Sequence, residues 1–199
     1  MKNLSVKITP DTVVVCGKPL AHKEKGSALL TELYRTYVGD YPKFFKMDTL
    51  CKLGFVASEL LLKAEGEPRF VPREDRAIIL YNKHASLQAD TAYQKTIQDL
   101  DNFFPSPAAF VYTLPNIVTG EIAIRNKYYG ETSFFVIDDM DASTQAGLVA
   151  RQLVNAFSDP QTLSIINGWV DCTDEDHFEA KLFLLDKLPD VEYFEIFES

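Results

Sequence analysis

The chain has 199 residues, of which 46% are hydrophobic and 12% aromatic, so a packed globular core is expected and disorder is excluded. Its formal net charge of −9 excludes the basic surface that nucleic-acid phosphates or an anionic membrane require. No apolar run approaches the roughly 20 residues of a membrane-spanning helix, the N-terminus has no signal-peptide pattern, and the three cysteines are scattered. We expect one cytoplasmic domain over residues 1–199, without nucleic-acid or membrane partners.

The first part of the chain predicts a strand, two helices and a second strand. The first strand covers residues 12–15, and leucines at helical spacing predict a helix over residues 26–38. Asp48 predicts the N-cap of a second, mostly apolar helix, and Gly66 predicts its C-terminal end. The continuous apolar run at residues 76–81 is typical of a strand that is covered on both faces.

His84 lies in the loop after this strand, and loops at the carboxyl ends of strands in open α/β sheets often hold ligands. A single loop histidine is more often an ordinary surface residue, so His84 is a candidate and no more. The later elements are predicted as a helix at 89–102, a helix that Pro115 interrupts, a strand at 132–137, a helix at 142–157, and a strand pair at 162–170 and 179–185.

An acidic corner follows the strand at residues 132–137, and it consists of Asp138, Asp139, Met140 and Asp141. Strand-to-helix corners often carry a nucleophile, because the helix N-terminus offers free N–H groups and positive potential. Capping of the next helix by one of the three aspartates is the simpler interpretation. A Mg²⁺ or Ca²⁺ site is the sharper alternative, but the stretch lacks further oxygen ligands, so we predict no metal and no cofactor.

The order of these elements resembles the N-terminal half of β-ketoacyl synthases, the condensing enzymes of fatty-acid and polyketide assembly. The match is most specific from Ser106 to Arg151, where it needs no gap. The matching positions are Ser106, Pro107, Asn116, Gly120, Ile122, Ile124, Gly130, Ala150 and Arg151. The resemblance implies an α/β fold with αβα layers: one half of a thiolase-like fold, in which helices pack on a mixed sheet.

The resemblance places the family's nucleophilic cysteine on Asp139, between Asp138 and Met140, so the corner has no thiol. The pKa of an aspartate is about 3.9, roughly 4–5 units below that of a thiol, so acyl transfer to it from a thioester is uphill by several kcal/mol. The sequence also ends at Ser199, where a complete synthase begins the half with its remaining catalytic residues. We therefore expect a pseudoenzyme, a ketosynthase-like subunit without condensing activity of its own.

The resemblance also implies partners. The chain resembles the short ketosynthase-like proteins of aryl polyene or flexirubin biosynthesis. We therefore expect it to act with a complete condensing enzyme and an acyl carrier protein. In the family, the strand before the corner pairs across a dimer. Homo- or hetero-oligomerisation is therefore expected through the strand from Thr132 to Ile137, in which Phe134 and Phe135 are prominent.

Two alternatives remain open at this point. One is an enzyme, a transferase or hydrolase of carrier-bound acyl thioesters that uses Asp139 together with His84. The other is a carrier-protein-binding module, for which Arg69, Arg73 and Arg76 would supply the basic surface that acidic carrier proteins prefer.

Overall fold

A computed structural model describes residues 4–99, 101, 103–137 and 141–187. Within these residues seven strands form one sheet, and six α-helices lie around it. In chain order the elements are β1 (Ser5–Thr9), β2 (Thr12–Val15), β3 (Lys18–Pro19), α1 (Gly26–Tyr37), a 3-10 turn (Pro42–Lys46), α2 (Thr49–Glu65), β4 (Arg76–Asn82), α3 (Leu87–Ile97), α4 (Pro107–Val111), α5 (Ile117–Asn126), β5 (Thr132–Val136), α6 (Ala142–Ser158), β6 (Ser164–Cys172) and β7 (Phe178–Asp186).

The sheet is mixed, with the strand order β3-β2-β1-β7-β6-β4-β5. The strand β4 lies between β5 and β6 and runs parallel to both, whereas β6 and β7 form an antiparallel pair. In this register Tyr81 lies between Phe135 and Trp169. The carboxyl ends of three parallel strands therefore meet at one edge of the sheet, which is where α/β proteins usually place their sites.

Helices cover both faces of the sheet. On one face, α1, α2 and α5 enclose the larger core, in which Phe55 and Leu61 of α2 are fully buried with Ile78 of β4. On the other face, Leu153 and Phe157 of α6 pack with β4 and β6. The expected α/β fold with αβα layers is confirmed.

The helix α2 begins and ends as predicted. The Asp48 carboxylate accepts a hydrogen bond from the backbone N–H of Cys51 at 3.0 Å, and Gly66 ends the helix in a left-handed conformation with φ 79°. The helix is buried at nearly every position between these caps, and Cys51 is part of the core. The hairpin of β6 and β7 and the buried character of β4 are likewise confirmed.

Other boundaries were predicted less well. The strand β1 was missed, although Val6 and Ile8 alternate with polar residues, and β2 is buried only at Val13 because it lies near the end of the sheet. The helix α3 ends five residues before its predicted end, since its polar continuation forms a local turn in which Asp99 accepts from the backbone of Asp101. The strand β6 extends beyond its predicted end and includes position 171.

Candidate functional site

The acidic corner lies where β5 ends at this carboxyl edge. Asp138, Asp139 and Met140 lie outside the described residues, so their roles stay predictions. Asp141 is the N-cap of α6: its Oδ1 accepts from the Thr144 backbone N–H at 3.0 Å, and its Oδ2 accepts from the Thr144 hydroxyl at 2.6 Å. The hydrogen bond from the Thr144 hydroxyl, followed by that from the backbone, lowers the pKa of Asp141. Capping of this helix by an aspartate is therefore confirmed for Asp141.

The metal alternative depended on the carboxylates of the same corner. Only Asp141 of the three aspartates is described, and its carboxylate is engaged in the cap. In the part of the chain that the structure describes, no group of three or more His, Cys, Asp or Glu side chains could hold a metal ion. The absence of a metal at the corner remains a prediction.

His84 follows β4 and pairs with Asp171 of β6. Its Nδ1 lies 2.7 Å from Oδ2 of Asp171, and its backbone N–H donates to Oδ1 of the same carboxylate at 3.2 Å. The two residues meet because β4 and β6 are parallel neighbours that end at one edge. The Asp171 carboxylate holds both the ring and the main chain of His84. The predicted pairing of His84 with Asp139 stays a prediction.

The loop that carries His84 is fixed by several hydrogen bonds. The Asn82 amide donates to the Ala85 carbonyl oxygen at 2.8 Å and accepts from the Ala85 backbone N–H at 3.0 Å. Ala85 has φ 48°, a left-handed conformation that costs a non-glycine residue about 1–2 kcal/mol. The Ser86 hydroxyl donates to the Thr113 carbonyl oxygen at 2.6 Å. The main chain beside His84 is therefore held in a conformation that the surrounding hydrogen bonds maintain.

A cleft of about 500 Å³ opens beside this pair. Pro10, Trp169 and Phe178 form apolar parts of its wall, and Asp176 and Glu179 add carboxylates. No lysine or arginine is among the described residues that line it. The cleft is therefore suited to neutral or cationic molecules and disfavours polyanions.

A second histidine, His177, lies at the same cleft and pairs with Asp174. Its Nδ1 lies 2.8 Å and 2.9 Å from the two carboxylate oxygens, and its side chain is 76% exposed, as expected for a surface residue in an acidic loop. The backbone N–H of Asp176, followed by His177, lowers the pKa of Asp174. Exposed pairs of this kind are screened by water and contribute little stability.

A smaller cavity of about 300 Å³ lies between α6 and the sheet. The buried hydroxyl of Tyr81 lies in its wall and has no hydrogen-bond partner among the described residues. Burial raises the pKa of Tyr81 to about 12, so the hydroxyl stays a neutral donor. The nearby Asn167 amide lowers the pKa of Tyr81 and so opposes the effect of burial. The amide does not form a hydrogen bond with the Tyr81 hydroxyl, however, and donates to the Ile79 carbonyl oxygen at 3.2 Å.

Two of the three cysteines are buried, and the third is partly exposed. Cys16 lies in the turn after β2 with φ 49°. Cys51 is in the core, where burial raises the pKa of its thiol well above the ordinary value. Cys172 ends β6, and burial, more than its acidic neighbours, raises the pKa of its thiol to about 12. The Cys51 and Cys172 thiols are therefore not poised as nucleophiles.

The arginines of the expected basic surface are neutralised by neighbouring acids. Arg69 and Arg73 form hydrogen-bonded ion pairs, and Arg76 is buried. Their partners are Glu59 for Arg69, Asp75 and Glu67 for Arg73, and Glu65 for Arg76. These arginines therefore do not form an unpaired basic surface, and binding of a carrier protein stays a prediction.

No family model matches the chain, and no curated protein matches its sequence. Among solved structures, "The ishigamide ketosynthase/chain length factor" matches at 15% identity with a TM-score of 0.63 and covers 93% of this chain. "Ketosynthase (ApeO) in Complex with its Chain Length Factor (ApeC) from Xenorhabdus doucetiae" matches at 12% identity with a TM-score of 0.59 and covers 93%. A complex titled "AntDE:AntF (apo): type II PKS acyl-carrier protein in complex with its ketosynthase bound to the hexaketide" matches at 13% identity with a TM-score of 0.54 and covers 94%.

The chain has a ketosynthase-like fold. The likeness extends over nearly all of this chain, which confirms the fold that the resemblance implied. The chain spans 61%, 79% and 64% of the three matched chains, in the order given. Among its described helices, none is long and apolar enough to cross a membrane.

Two polar groups of this ketosynthase-like fold were missed by sequence reasoning. Asp171 was placed beyond the end of its strand, although the parallel arrangement of β4 and β6 brings it to His84. The sequence marks Tyr81 only as part of an apolar strand, and its hydroxyl has no hydrogen-bond partner among the described residues. The available signal was the carboxyl end of each strand, because polar residues there converge once two strands are known to be parallel.

Proposed function

We propose that the chain is a ketosynthase-like subunit that joins a complete condensing enzyme, in the manner of a chain length factor, through the free edge of β5. The observation that carries the proposal is the fold shared with ketosynthases and chain length factors, two of which are described by their titles as complexes. The pathway proposed is polyketide-type synthesis on an acyl carrier protein, of the aryl polyene or flexirubin kind. Such a subunit would work in the cytoplasm.

The edge of β5 supports a strand-pairing interface. The Ile78 N–H donates to the Glu131 carbonyl oxygen at 2.8 Å, and the Ile137 N–H donates to that of Asn82 at 2.7 Å. The two-residue period of a parallel ladder then directs the backbone groups of Thr132, Phe134 and Val136 away from β4. Among the described residues β5 is the last strand of the sheet, so these groups form an edge that another strand can extend.

Large apolar side chains near the carboxyl edge support the same proposal. The segment around α4 exposes them, and Phe104 reaches 75% exposure. The others are Phe103, Phe110, Val111 and Leu114. The Ser86–Thr113 hydrogen bond ties this segment to the loop of His84. Exposed apolar groups in such number usually mark an interaction surface.

The residue types of the corner favour a role without condensation. A condensing nucleophile must accept an acyl group from a thioester, and the resemblance puts Asp139 at that position. A carboxylate is a poor acceptor because the mixed anhydride is less stable than the thioester it replaces. We propose that the partner supplies the thiol and that this chain supports the complex.

Coexpression with a complete ketosynthase and an acyl carrier protein from the same organism tests the proposal. We expect a stoichiometric complex by size exclusion with light scattering. Val136→Pro removes an outward N–H at a side chain that is 52% exposed, so complex formation should weaken at least about 10-fold. Val136→Thr keeps the N–H and the β-branched shape and should bind like the wild type.

The outcomes separate the possible partners. A wild-type chain that forms no complex with the ketosynthase, or a Val136→Pro variant that binds as well as Val136→Thr, would overturn the proposal. A homodimer that Val136→Pro dissolves would assign the edge to a second copy of this chain. In a complex that condenses acyl groups, Asp139→Asn should leave the rate unchanged, whereas a lost rate would return the chemistry to the corner.

A further inference from the structure

The pair of His84 and Asp171 has the arrangement of a general base. A carboxylate can only accept hydrogen bonds, so its contact with Nδ1 places the imidazole proton there and leaves a lone pair on Nε2. Nε2 has no hydrogen-bond partner among the described residues, and the side chain is 34% exposed. The base is therefore held in one tautomer and is open to a small molecule in the cleft.

The pair is also more firmly oriented than an ordinary surface contact. Asp171 binds the ring with one oxygen and the backbone N–H of His84 with the other. The clamp between Asn82 and Ala85 fixes the adjoining main chain. Groups held this way by packing and hydrogen bonds need little reorganisation during a reaction.

The neighbouring pair of His177 and Asp174 provides an internal comparison. It lines the same cleft and has a similar contact distance, but both of its side chains are more than half exposed. Its two members lie three residues apart in one turn, whereas His84 follows β4 and Asp171 lies on β6. Only the His84 pair combines accessibility with a largely shielded carboxylate, where electrostatic interactions are stronger.

The walls of the cleft restrict the substrate and the nucleophile. Its carboxylates and its lack of a described lysine or arginine disfavour phosphate-bearing molecules, and its volume of about 500 Å³ suits a small organic molecule. The hydroxyls of Thr9 and Thr173 are engaged, donating to Asp11 and to the His177 carbonyl oxygen. Water is therefore the available proton donor for the base.

We propose that His84, positioned by Asp171, is the general base of a hydrolytic site for small uncharged esters and thioesters. Nε2 takes a proton from water while the water oxygen bonds to the carbonyl carbon. The bond from that carbon to the leaving oxygen or sulfur then breaks, and the leaving group takes the proton back from Nε2. The products are an acid and an alcohol or thiol. This activity is separate from the subunit partnership and does not use Asp139.

The test measures acid release by the full chain from p-nitrophenyl butyrate, from the butyryl thioester of N-acetylcysteamine and from butyryl-coenzyme A. We expect turnover of the two uncharged substrates and at least about 10-fold less of the polyanionic one. His84→Gln should lower kcat at least about 100-fold. His22→Gln should stay within about twofold of the wild type, because His22 lies outside the cleft with its Nδ1 against the Glu24 carbonyl oxygen.

Asp171→Asn tests positioning separately from folding. It should lower kcat about 10²–10⁴-fold, with KM nearly unchanged, because the amide no longer enforces the tautomer of His84. Thermal unfolding of each variant within about 3 °C of the wild type shows that the fold is intact. The proposal fails if the wild type turns over none of the substrates, or if His22→Gln loses as much rate as His84→Gln. A preference for butyryl-coenzyme A would overturn the assignment to uncharged substrates.

Discussion

Removing one partner of the buried ion pair between Arg76 and Glu65 is expected to lower the free energy of unfolding several times more than removing one partner of an exposed pair. Arg76 begins β4, the central parallel strand, and is 2% exposed. Its Nη1 and Nη2 donate to the two Glu65 oxygens at 2.8 and 2.5 Å, and its Nε donates to the Ser164 hydroxyl at 2.9 Å. Burial is the largest single influence on the pKa of Arg76 and lowers it, but the hydrogen bonds to Glu65 and Tyr128 and the charges of these groups together raise it, so the net shift is upward.

The change Glu65→Gln keeps the size of the side chain and removes its charge. One guanidinium nitrogen then faces an amide NH₂ group, and the buried cation has no anionic partner. Two weakened buried hydrogen bonds at about 1–3 kcal/mol each give a loss of about 2–6 kcal/mol. The usual cost of breaking a buried pair, about 3–5 kcal/mol, lies inside that range.

Urea unfolding followed by the fluorescence of Trp169 measures this loss, since Trp169 is the single tryptophan and lies on β6 next to β4. The control is Glu179→Gln, whose partner Lys7 lies 3.1 Å away with both side chains nearly half exposed. Glu179→Gln should lower the free energy of unfolding by about 0–1 kcal/mol, and added salt should make this loss smaller. A loss below about 1 kcal/mol for Glu65→Gln, or one equal to the control, would refute the reasoning.

Two further outcomes are expected. Burial raises the pKa of Asp48 to about 6 from 3.8, so the folded state binds this proton more tightly than the unfolded chain and stability falls as the pH rises through that interval. Asp48→Asn keeps a capping oxygen, so its free energy of unfolding in urea, relative to that of the wild type, should rise by up to about 3 kcal/mol from pH 3.5 to pH 7. A relative free energy that does not change with pH would contradict the shift. A Cβ at Gly130 would lie against the backbone of Arg76, so Gly130→Ala should lower the free energy of unfolding by about 1–3 kcal/mol. Gly147 lies inside α6 with open space around it, so Gly147→Ala should raise the free energy of unfolding by about 0.5–1 kcal/mol. Equal Tm values for the two variants would contradict this contrast.

Local signals predicted the parts of the fold that depend on short-range chemistry. Asp48 and Gly66 mark the ends of α2 because a carboxylate satisfies free N–H groups and glycine accepts a left-handed conformation without strain. The apolar run at residues 76–81 similarly identified β4 as a strand covered on both faces. Such features need no knowledge of distant residues.

The contacts between distant strands could not be predicted in the same way. The meeting of His84 with Asp171 depends on β4 and β6 being parallel neighbours, a pairing over more than eighty residues that hydrophobic pattern does not encode. Arg76 resembled a charged boundary of a strand, and it is buried because Glu65 at the end of α2 reaches it. Charged residues at element ends are usually solvated, so composition alone favoured the wrong interpretation.

The two proposed functions use different groups, namely the outward backbone groups of β5 and the side chains of the cleft beside His84. Among the described residues β5 is the last strand in the order, whereas the cleft is lined by β6, β7, the turn after β1 and His84 after β4. Val136 directs its N–H away from β4, so its loss removes no hydrogen bond that supports the loop of His84. A monomeric variant that still hydrolyses esters, or a His84→Gln variant that still binds its partner, would therefore assign each property to its own surface. Loss of both properties in either variant would instead indicate that partner binding reshapes the carboxyl edge, which the apolar segment beside His84 makes physically reasonable.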